Sequence, residues 1–188
     1  MQAERERSFA LDTIVDPVLA TIANFLVRIG LEVAVGEVSG DTFMKGIGIE
    51  DGVLVIDESK VRYPGDLLHE AGHLAMLPAA KRRAAQNFME DGGGVELSAT
   101  AWSYAAAIHL GLSPSIPLHD AAYQGGSAAL IENYANGGIV GVPLMQRAGM
   151  TLDAKRAKEL GVAPFPAMAR WLCDEGNDEQ GNQEEHKC

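Results

Sequence analysis

The chain has few cysteines, few aromatic residues and no long uninterrupted apolar segment. Its two cysteines, Cys173 and Cys188, provide neither a disulfide framework nor a zinc–thiolate site. Aromatic residues make up only 6% of the sequence, so aliphatic side chains, alanine and methionine must form most of the core. Charged, amide and proline residues interrupt the apolar segment 11–29, whereas a membrane span needs about 18 consecutive apolar residues. Because a signal peptide also needs an unbroken apolar core, we expect a cytoplasmic protein with no membrane association.

Basic residues are in the minority as well. The 188 residues include 26 acidic and 15 basic side chains, which gives a formal net charge of −11. A nucleic-acid-binding surface needs clustered lysine and arginine, and the one basic cluster is the short run 81–83. We therefore expect no nucleic-acid partner. Acidic residues concentrate in 174–188, which has no aliphatic residue, so we predict a disordered tail there and a single domain over 1–173.

Hydrophobic periodicity and turn signals predict an α+β fold that is mostly helical. Two strands, 43–49 and 53–57, flank an Asp-Gly turn and predict one small antiparallel sheet. The three glycines at 92–94 predict a break in the chain, and Thr151 is a candidate cap for the last helix. Helices are expected over 12–29, 64–76, 79–89, 95–110, 127–134 and 152–160. The sheet thus precedes the helix at 64–76, which contains the main motif.

Residues 69–73 read His-Glu-Ala-Gly-His, an H-E-x-x-H motif. Residues four apart share one face of a helix, so the imidazoles of His69 and His73 can reach one zinc ion at roughly 2 Å. Glu70 lies beside that face and is placed to contact a metal-bound water. Zinc lowers the pKa of such a water towards about 7, and Glu70 can take its proton as the catalytic base. The alternative is a surface helix whose two histidines bind nothing.

A catalytic zinc needs a third protein ligand and one open position. Glu96 is the best candidate, because it begins an otherwise apolar, alanine-rich helix on a face that we expect to be buried. A buried carboxylate is costly unless it is paired or bound to a metal. The alternative is an acid favoured at a helix N-terminus by the macrodipole. The residues downstream of the motif that could supply this third ligand are Glu90, Asp91, Glu96, His109, His119, Asp120 and Glu132.

The motif at 69–73, followed by Glu96 on a second helix, resembles the glutamate zincins. The segment 96–102, Glu-Leu-Ser-Ala-Thr-Ala-Trp, is similar to the Glu-x-x-Ala-Asn-x-Phe-Ala stretch of ImmA/IrrE-type metallopeptidases. The resemblance covers about 43–110 and implies a zincin-like domain with His69, His73 and Glu96 as zinc ligands and Glu70 as base. Thr100 stands where that family usually has asparagine and Ser103 where it often has alanine. No helix-turn-helix segment is present.

A hydrolase also needs a donor that stabilises the developing oxyanion. His119 and Tyr123, in the segment His-Asp-Ala-Ala-Tyr, are our candidates for catalytic residues besides Glu70. The alternative is that both are ordinary rim residues. Tyr134 is a weaker candidate, Tyr104 is expected in the core, and His109 is expected to be a core histidine or a partner of the helix C-terminus.

These residues predict a zinc-dependent metallopeptidase-like hydrolase that cleaves a peptide or amide bond in a peptide or protein substrate. The peptide would add a strand to the exposed sheet edge, and the acidic net charge mildly favours neutral or basic peptides. The alternative is a non-catalytic zincin scaffold that binds or senses a partner, with a structural or regulatory zinc. Hydrolysis of a non-peptide amide would use the same chemistry.

Overall fold

The computed structural model describes residues 9–38, 42, 44–86 and 93–173. Within these ranges the chain forms eight α-helices and a three-stranded sheet, which confirms the mixed, mostly helical architecture. The predicted tail at 174–188 lies outside the described residues, as do the ligand candidates Glu90 and Asp91 and the end of the helix predicted at 79–89.

The sheet consists of β1 (Glu32–Val35), β2 (Ile47–Glu50) and β3 (Val53–Ile56), in the order β1-β3-β2. The β2–β3 hairpin is confirmed, because Asp51 and Gly52 form its turn with φ values of 52° and 77°. Positive φ at both turn positions suits the right-handed twist of the two strands. The prediction of a wholly antiparallel sheet is wrong, because β1 pairs with β3 in parallel. With four residues, β1 is too short to show a clear period in the sequence.

The main core lies on one face of this sheet. Strand residues 33, 47, 49, 54 and 56 face the large apolar cluster, whereas 34, 53 and 55 belong to a small cluster with Val38. Helix α1 (Pro17–Arg28) packs on β1 and on the second helix. It begins at Pro17 rather than at residue 12, because the Asp16 carboxylate accepts hydrogen bonds from the backbone N–H groups of Val18 and Leu19 (2.8 and 2.9 Å).

Two helices form the centre of the molecule, α2 (Asp66–Met76) and α4 (Gly93–Leu110). They approach closely at Gly72, where an added Cβ would lie 2.9 Å from both Cα and O of Ala99. The predicted break at 92–94 is wrong for Gly93 and Gly94, which form the first turn of α4. A four-residue helix, α3 (Ala79–Arg82), follows α2. The Arg82 guanidinium donates to the carbonyl oxygens of Leu74, Leu77 and Cys173 (3.0, 2.9 and 3.0 Å), so it ties the end of α2 to the last described residue.

The C-terminal part contains four short helices, α5 (Asp120–Tyr123), α6 (Ser127–Ala135), α7 (Val142–Arg147) and α8 (Ala154–Leu160). Helix α6 agrees with the prediction, whereas α5 and α7 occupy segments without a predicted helix. Asp153, not Thr151, caps α8, because its carboxylate accepts from the backbone N–H of Arg156 (2.8 Å). The Thr151 hydroxyl donates instead to the Ala167 carbonyl (2.7 Å). None of the helices in the described ranges combines the length and apolarity that crossing a membrane requires.

Candidate metal centre

Helix α2 places His69 and His73 one turn apart on its buried face. Their residues are 5% and 8% exposed, and their Nε2 atoms lie 3.1 Å from each other. The apolar neighbours Leu67, Leu68 and Leu74 are fully buried and fix the rotation of the helix about its axis. The sequence expectation that both imidazoles point to one place is confirmed.

Glu96, in the first turn of α4, completes the cluster. Its Oε1 lies 3.0 Å from Nε2 of His69, and its Oε2 lies 3.3 Å from Nε2 of His73. Hydrogen bonds from these two imidazoles hold the pKa of the Glu96 carboxyl well below its ordinary value of 4.5, against the opposing effect of burial. The expectation that Glu96 is buried is wrong, because its side chain is 55% exposed. The first turn of α4 lies at the molecular surface, and the neighbouring Leu97 is 46% exposed.

The three side chains form a group that could hold a metal ion. Their ligand atoms all lie within 4.8 Å of one another. Ligand atoms bound at about 2 Å to a tetrahedral ion lie roughly 3.3 Å apart, so the observed separations of 3.0 to 3.3 Å fit such an ion. Two imidazoles and one carboxylate are a common donor set of catalytic zinc, and imidazole also suits other first-row metals. The centre therefore fits a divalent metal.

Glu70 lies on α2 beside the two histidines and is half-buried. Burial raises the pKa of its carboxyl above the ordinary value of 4.5. The nearby imidazoles of His73 and His69 oppose this rise, and the charges of Glu96 and Asp66 add to it. A carboxylate whose pKa is raised binds a proton more strongly than an exposed carboxylate does. Glu70 thus has the environment that a general base needs.

His119 lies beside the N-terminal end of α2 and contacts Asp66, one turn before His69. Its Nε2 is 2.7 Å from Oδ1 of Asp66, and its Nδ1 accepts a hydrogen bond from the backbone N–H of Ala122 (3.3 Å). The neutral ring therefore carries its proton on Nε2 and donates it to Asp66. The ring also stacks on Tyr63, with the centroids 3.9 Å apart. Both nitrogens of His119 are thus engaged outside the metal cluster, and a catalytic role for this residue stays a prediction.

Tyr123, the last residue of α5, contacts α4 at Thr100. The Thr100 hydroxyl donates to the backbone carbonyl of Glu96 (3.0 Å), so the Tyr123 hydroxyl is the donor in its 3.2 Å contact with Thr100 Oγ1. Burial raises the pKa of Tyr123; its hydrogen bond with Thr100 opposes this rise, and the charges of Glu96 and Asp66 add to it. Because Thr100 follows Glu96 by one helical turn, the phenol lies next to the third ligand. Of the two predicted oxyanion donors, Tyr123 is the better placed.

The remaining candidates have other partners. The Tyr134 hydroxyl donates to the Val140 carbonyl (2.9 Å), and Tyr104 is 4% exposed and packs on Tyr134, as expected of a core residue. His109 packs its ring on Phe25 and Trp171, with centroids 5.6 and 5.1 Å away. Asp120 accepts a hydrogen bond from the Ser127 hydroxyl. Among the described residues, the metal-binding group consists of His69, His73 and Glu96.

Two residues that shape the centre were missed in the sequence. Gly72, inside the motif, leaves room for the backbone of Ala99 and so brings Glu96 close to the histidines. Asp66 is 5% exposed and holds His119 next to α2. The spacing could have indicated Asp66, because it precedes His69 by three residues and therefore shares its helix face. Nothing in the sequence places Gly72 against a particular partner.

No protein-family profile, curated protein or solved structure matches the chain.

Proposed function

We propose that the chain is a zinc-dependent metallopeptidase-like hydrolase that cleaves a peptide or amide bond in a peptide or protein substrate. The observation that carries this proposal is the convergence of His69, His73 and Glu96, with Glu70 beside them. The resemblance of residues 69–73 and 96–102 to the ImmA/IrrE-type glutamate zincins supports the same conclusion from the sequence.

The exposure of the third ligand favours a catalytic site over a structural one. The imidazole side chains are 6% and 10% exposed, whereas that of Glu96 is 55% exposed. The centre is therefore accessible from the Glu96 side. Structural zinc sites are closed by four protein ligands, whereas catalytic sites keep one position for water or substrate. Among the described residues, the cluster supplies three ligands and no fourth.

The side chains around the centre have separate roles in the proposed reaction. Zinc bound here supplies a Lewis acid that polarises the scissile carbonyl and makes a water nucleophilic at neutral pH. Glu70 accepts the proton of the attacking water on its carboxylate and delivers it to the leaving amine. The Tyr123 hydroxyl, released from Thr100, donates a hydrogen bond to the developing oxyanion. The Asp66–His119 pair holds α5 beside this centre.

Metal content tests the ligand set. We expect about one zinc per chain by mass spectrometry of the purified wild type, and loss of that zinc in both His73→Ala and Glu96→Ala. Glu132→Ala is a matched control, because Glu132 is an exposed glutamate on α6 outside the cluster. Zinc at 100 times its Kd should stabilise the wild type by about 2.7 kcal/mol, and neither ligand variant should gain this. A wild type that binds no zinc when zinc is supplied would refute the proposal.

Cleavage of a peptide library tests the chemistry. We expect zinc-dependent cleavage by the wild type, and we expect Glu70→Gln to retain zinc but to lose kcat by about 10²- to 10⁴-fold. Because glutamine keeps the shape and removes the base, this variant separates metal binding from catalysis. If the wild type holds zinc but cleaves no peptide, the peptidase proposal fails and a non-catalytic binding module becomes the better account.

A further inference from the structure

A small cavity lies at the N-terminal end of α2, where Asp66 and His119 form part of its wall. Its volume is about 170 Å³, and its wall includes Lys45, Arg62, Tyr63, Asp66 and His119. Pockets for whole drug-sized ligands measure roughly 300 to 1,000 Å³. This cavity is therefore sized for a single side chain or chain end rather than for a complete ligand.

The charge on the cavity wall is opposite to that of the chain. The protein as a whole carries a formal charge of −11, whereas the wall has two cations, Lys45 and Arg62, and one carboxylate. That carboxylate, Asp66, already accepts a hydrogen bond from His119 at 2.7 Å. Arg62 lies over the Tyr63 ring, 5.4 Å from its centroid. Arg62 therefore places positive charge on a wall whose one carboxylate is already hydrogen-bonded, and this charge attracts an incoming anion.

The cavity and the metal centre share two structural elements. Asp66 begins α2 three residues before His69, which is about 4.5 Å along the helix axis. Helix α5 contributes Ala121 and Ala122 to the cavity wall, and its Tyr123 contacts Thr100 beside Glu96. A substrate whose scissile bond lies at the metal centre would therefore place a neighbouring group in the cavity.

We infer that this cavity is a specificity subsite that binds a carboxylate of the substrate close to the scissile bond, with Arg62 as its recognition residue and Lys45 adding positive charge to its wall. The carboxylate comes from an acidic side chain or from the C-terminus of the peptide, since both present the same group. Arginine binds carboxylates through two parallel N–H groups, which gives the subsite geometric as well as charge selectivity. This inference rests on the proposed peptidase function, and it reverses the expectation of neutral or basic peptides that the net charge alone favours.

Binding of small probes to the zinc-loaded protein tests the subsite without catalysis. The first pair is N-acetyl-glutamate N-methylamide against its glutamine counterpart, and the second is N-acetyl-alanine against its amide, each titrated by NMR. The first pair reports on an acidic side chain and the second on a terminal carboxylate. We expect roughly tenfold tighter binding of the acidic member in at least one pair, as a charge-assisted hydrogen bond predicts. Arg62→Gln should abolish this difference.

Lys155→Gln is the matched control, because it removes one positive charge from an exposed position on α8. It should leave probe binding unchanged. A carboxylate bound directly to the metal would keep its affinity in Arg62→Gln, so that result overturns the subsite. Equal affinities within both pairs overturn it as well.

Cleavage of a peptide library provides the second readout. If the wild type cleaves peptides, acidic residues or free C-termini should be enriched roughly tenfold at one fixed position from the scissile bond. The double variant Lys45→Glu, Arg62→Glu should shift this preference towards lysine and arginine. Cleavage without any acidic preference overturns the subsite but leaves the peptidase proposal intact. Absence of cleavage together with Arg62-dependent probe binding overturns the peptidase proposal, and the cavity then remains a carboxylate-binding site without a role in cleavage.

Discussion

Gly72 controls the separation of α2 and α4, and Gly72→Ala is therefore a sensitive test of how the metal centre is built. An added Cβ would lie 2.9 Å from Cα and O of Ala99 and 3.1 Å from its Cβ. Non-bonded carbon atoms are most stable at about 3.5 to 4.0 Å, so α4 would have to move by roughly 0.6 Å or more. Two of the three contacts are with backbone atoms, so a change of side-chain rotamer cannot relieve them.

The expected loss of stability is small, but the expected loss of metal affinity is large. Overpacking costs about 1 to 3 kcal/mol, and the better helix propensity of alanine returns about 1 kcal/mol. The net destabilisation should therefore be about 0 to 2 kcal/mol. Metal–ligand distances, in contrast, must stay within about 0.2 Å of their ideal values. Because Glu96 moves with α4, zinc affinity should fall at least tenfold.

Isothermal titration with zinc and thermal unfolding of the metal-free protein measure the two effects separately. Ala71→Gly is the control, because it destabilises the same helix by about 1 to 2 kcal/mol, through lower helix propensity and loss of a buried methyl group, without adding an atom between α2 and α4. It should lower the melting temperature and leave zinc affinity nearly unchanged. The double variant Gly72→Ala, Ala99→Gly should not recover affinity, since the backbone contacts persist. Unchanged zinc affinity in Gly72→Ala would refute the claim that this close approach sets the centre.

Two further predictions concern the tyrosines. Tyr123→Phe should bind zinc and keep its KM but lower kcat about 100-fold, as expected for loss of an oxyanion donor. Steady-state kinetics on a cleaved peptide measure this effect. An unchanged kcat would mean that Tyr123 is a rim residue without a catalytic role. Tyr134 has its pKa raised above the ordinary 10.0 by burial and by the neighbouring Tyr123 and Tyr104. Its contribution to stability is therefore fully present below pH 10 and is lost as the pH rises through the folded-state pKa. In denaturant unfolding above pH 10, the free energy of unfolding should fall less steeply with pH in Tyr134→Phe than in the wild type. Equal slopes in the two proteins would contradict a raised pKa of Tyr134.

Local chemistry explains which elements the sequence predicted. Asp51 and Gly52 specify a two-residue hairpin turn, so β2 and β3 were found together. The strand β1 was missed because four residues give too little periodicity, and its partner lies 21 positions further along the chain. Helix α7 is not predicted, because the glycines before it and its proline are typical of turns, although Pro143 stands in its first turn, where proline is favoured.

The part of the candidate metal centre that lies on one helix can be predicted from the sequence. His69, Glu70 and His73 share one helix, so their spacing fixes their relative positions. Burial does not explain the position of Glu96, because its side chain is 55% exposed. Its position depends on the close packing at Gly72 and Ala99, and sequence periodicity does not say which small residues of two helices meet.

The segment between α4 and α6 shows what long-range contacts add. The sequence alone does not indicate whether the chain after Ser113 covers the centre. The segment passes tightly over the start of α2, since a Cβ added at Gly65 would lie 2.1 Å from the Ile116 carbonyl oxygen. It is then held to α2 by the His119–Asp66 contact and to α4 by the Tyr123–Thr100 contact. Because the Glu96 side chain nevertheless remains 55% exposed, this segment flanks the centre without closing it.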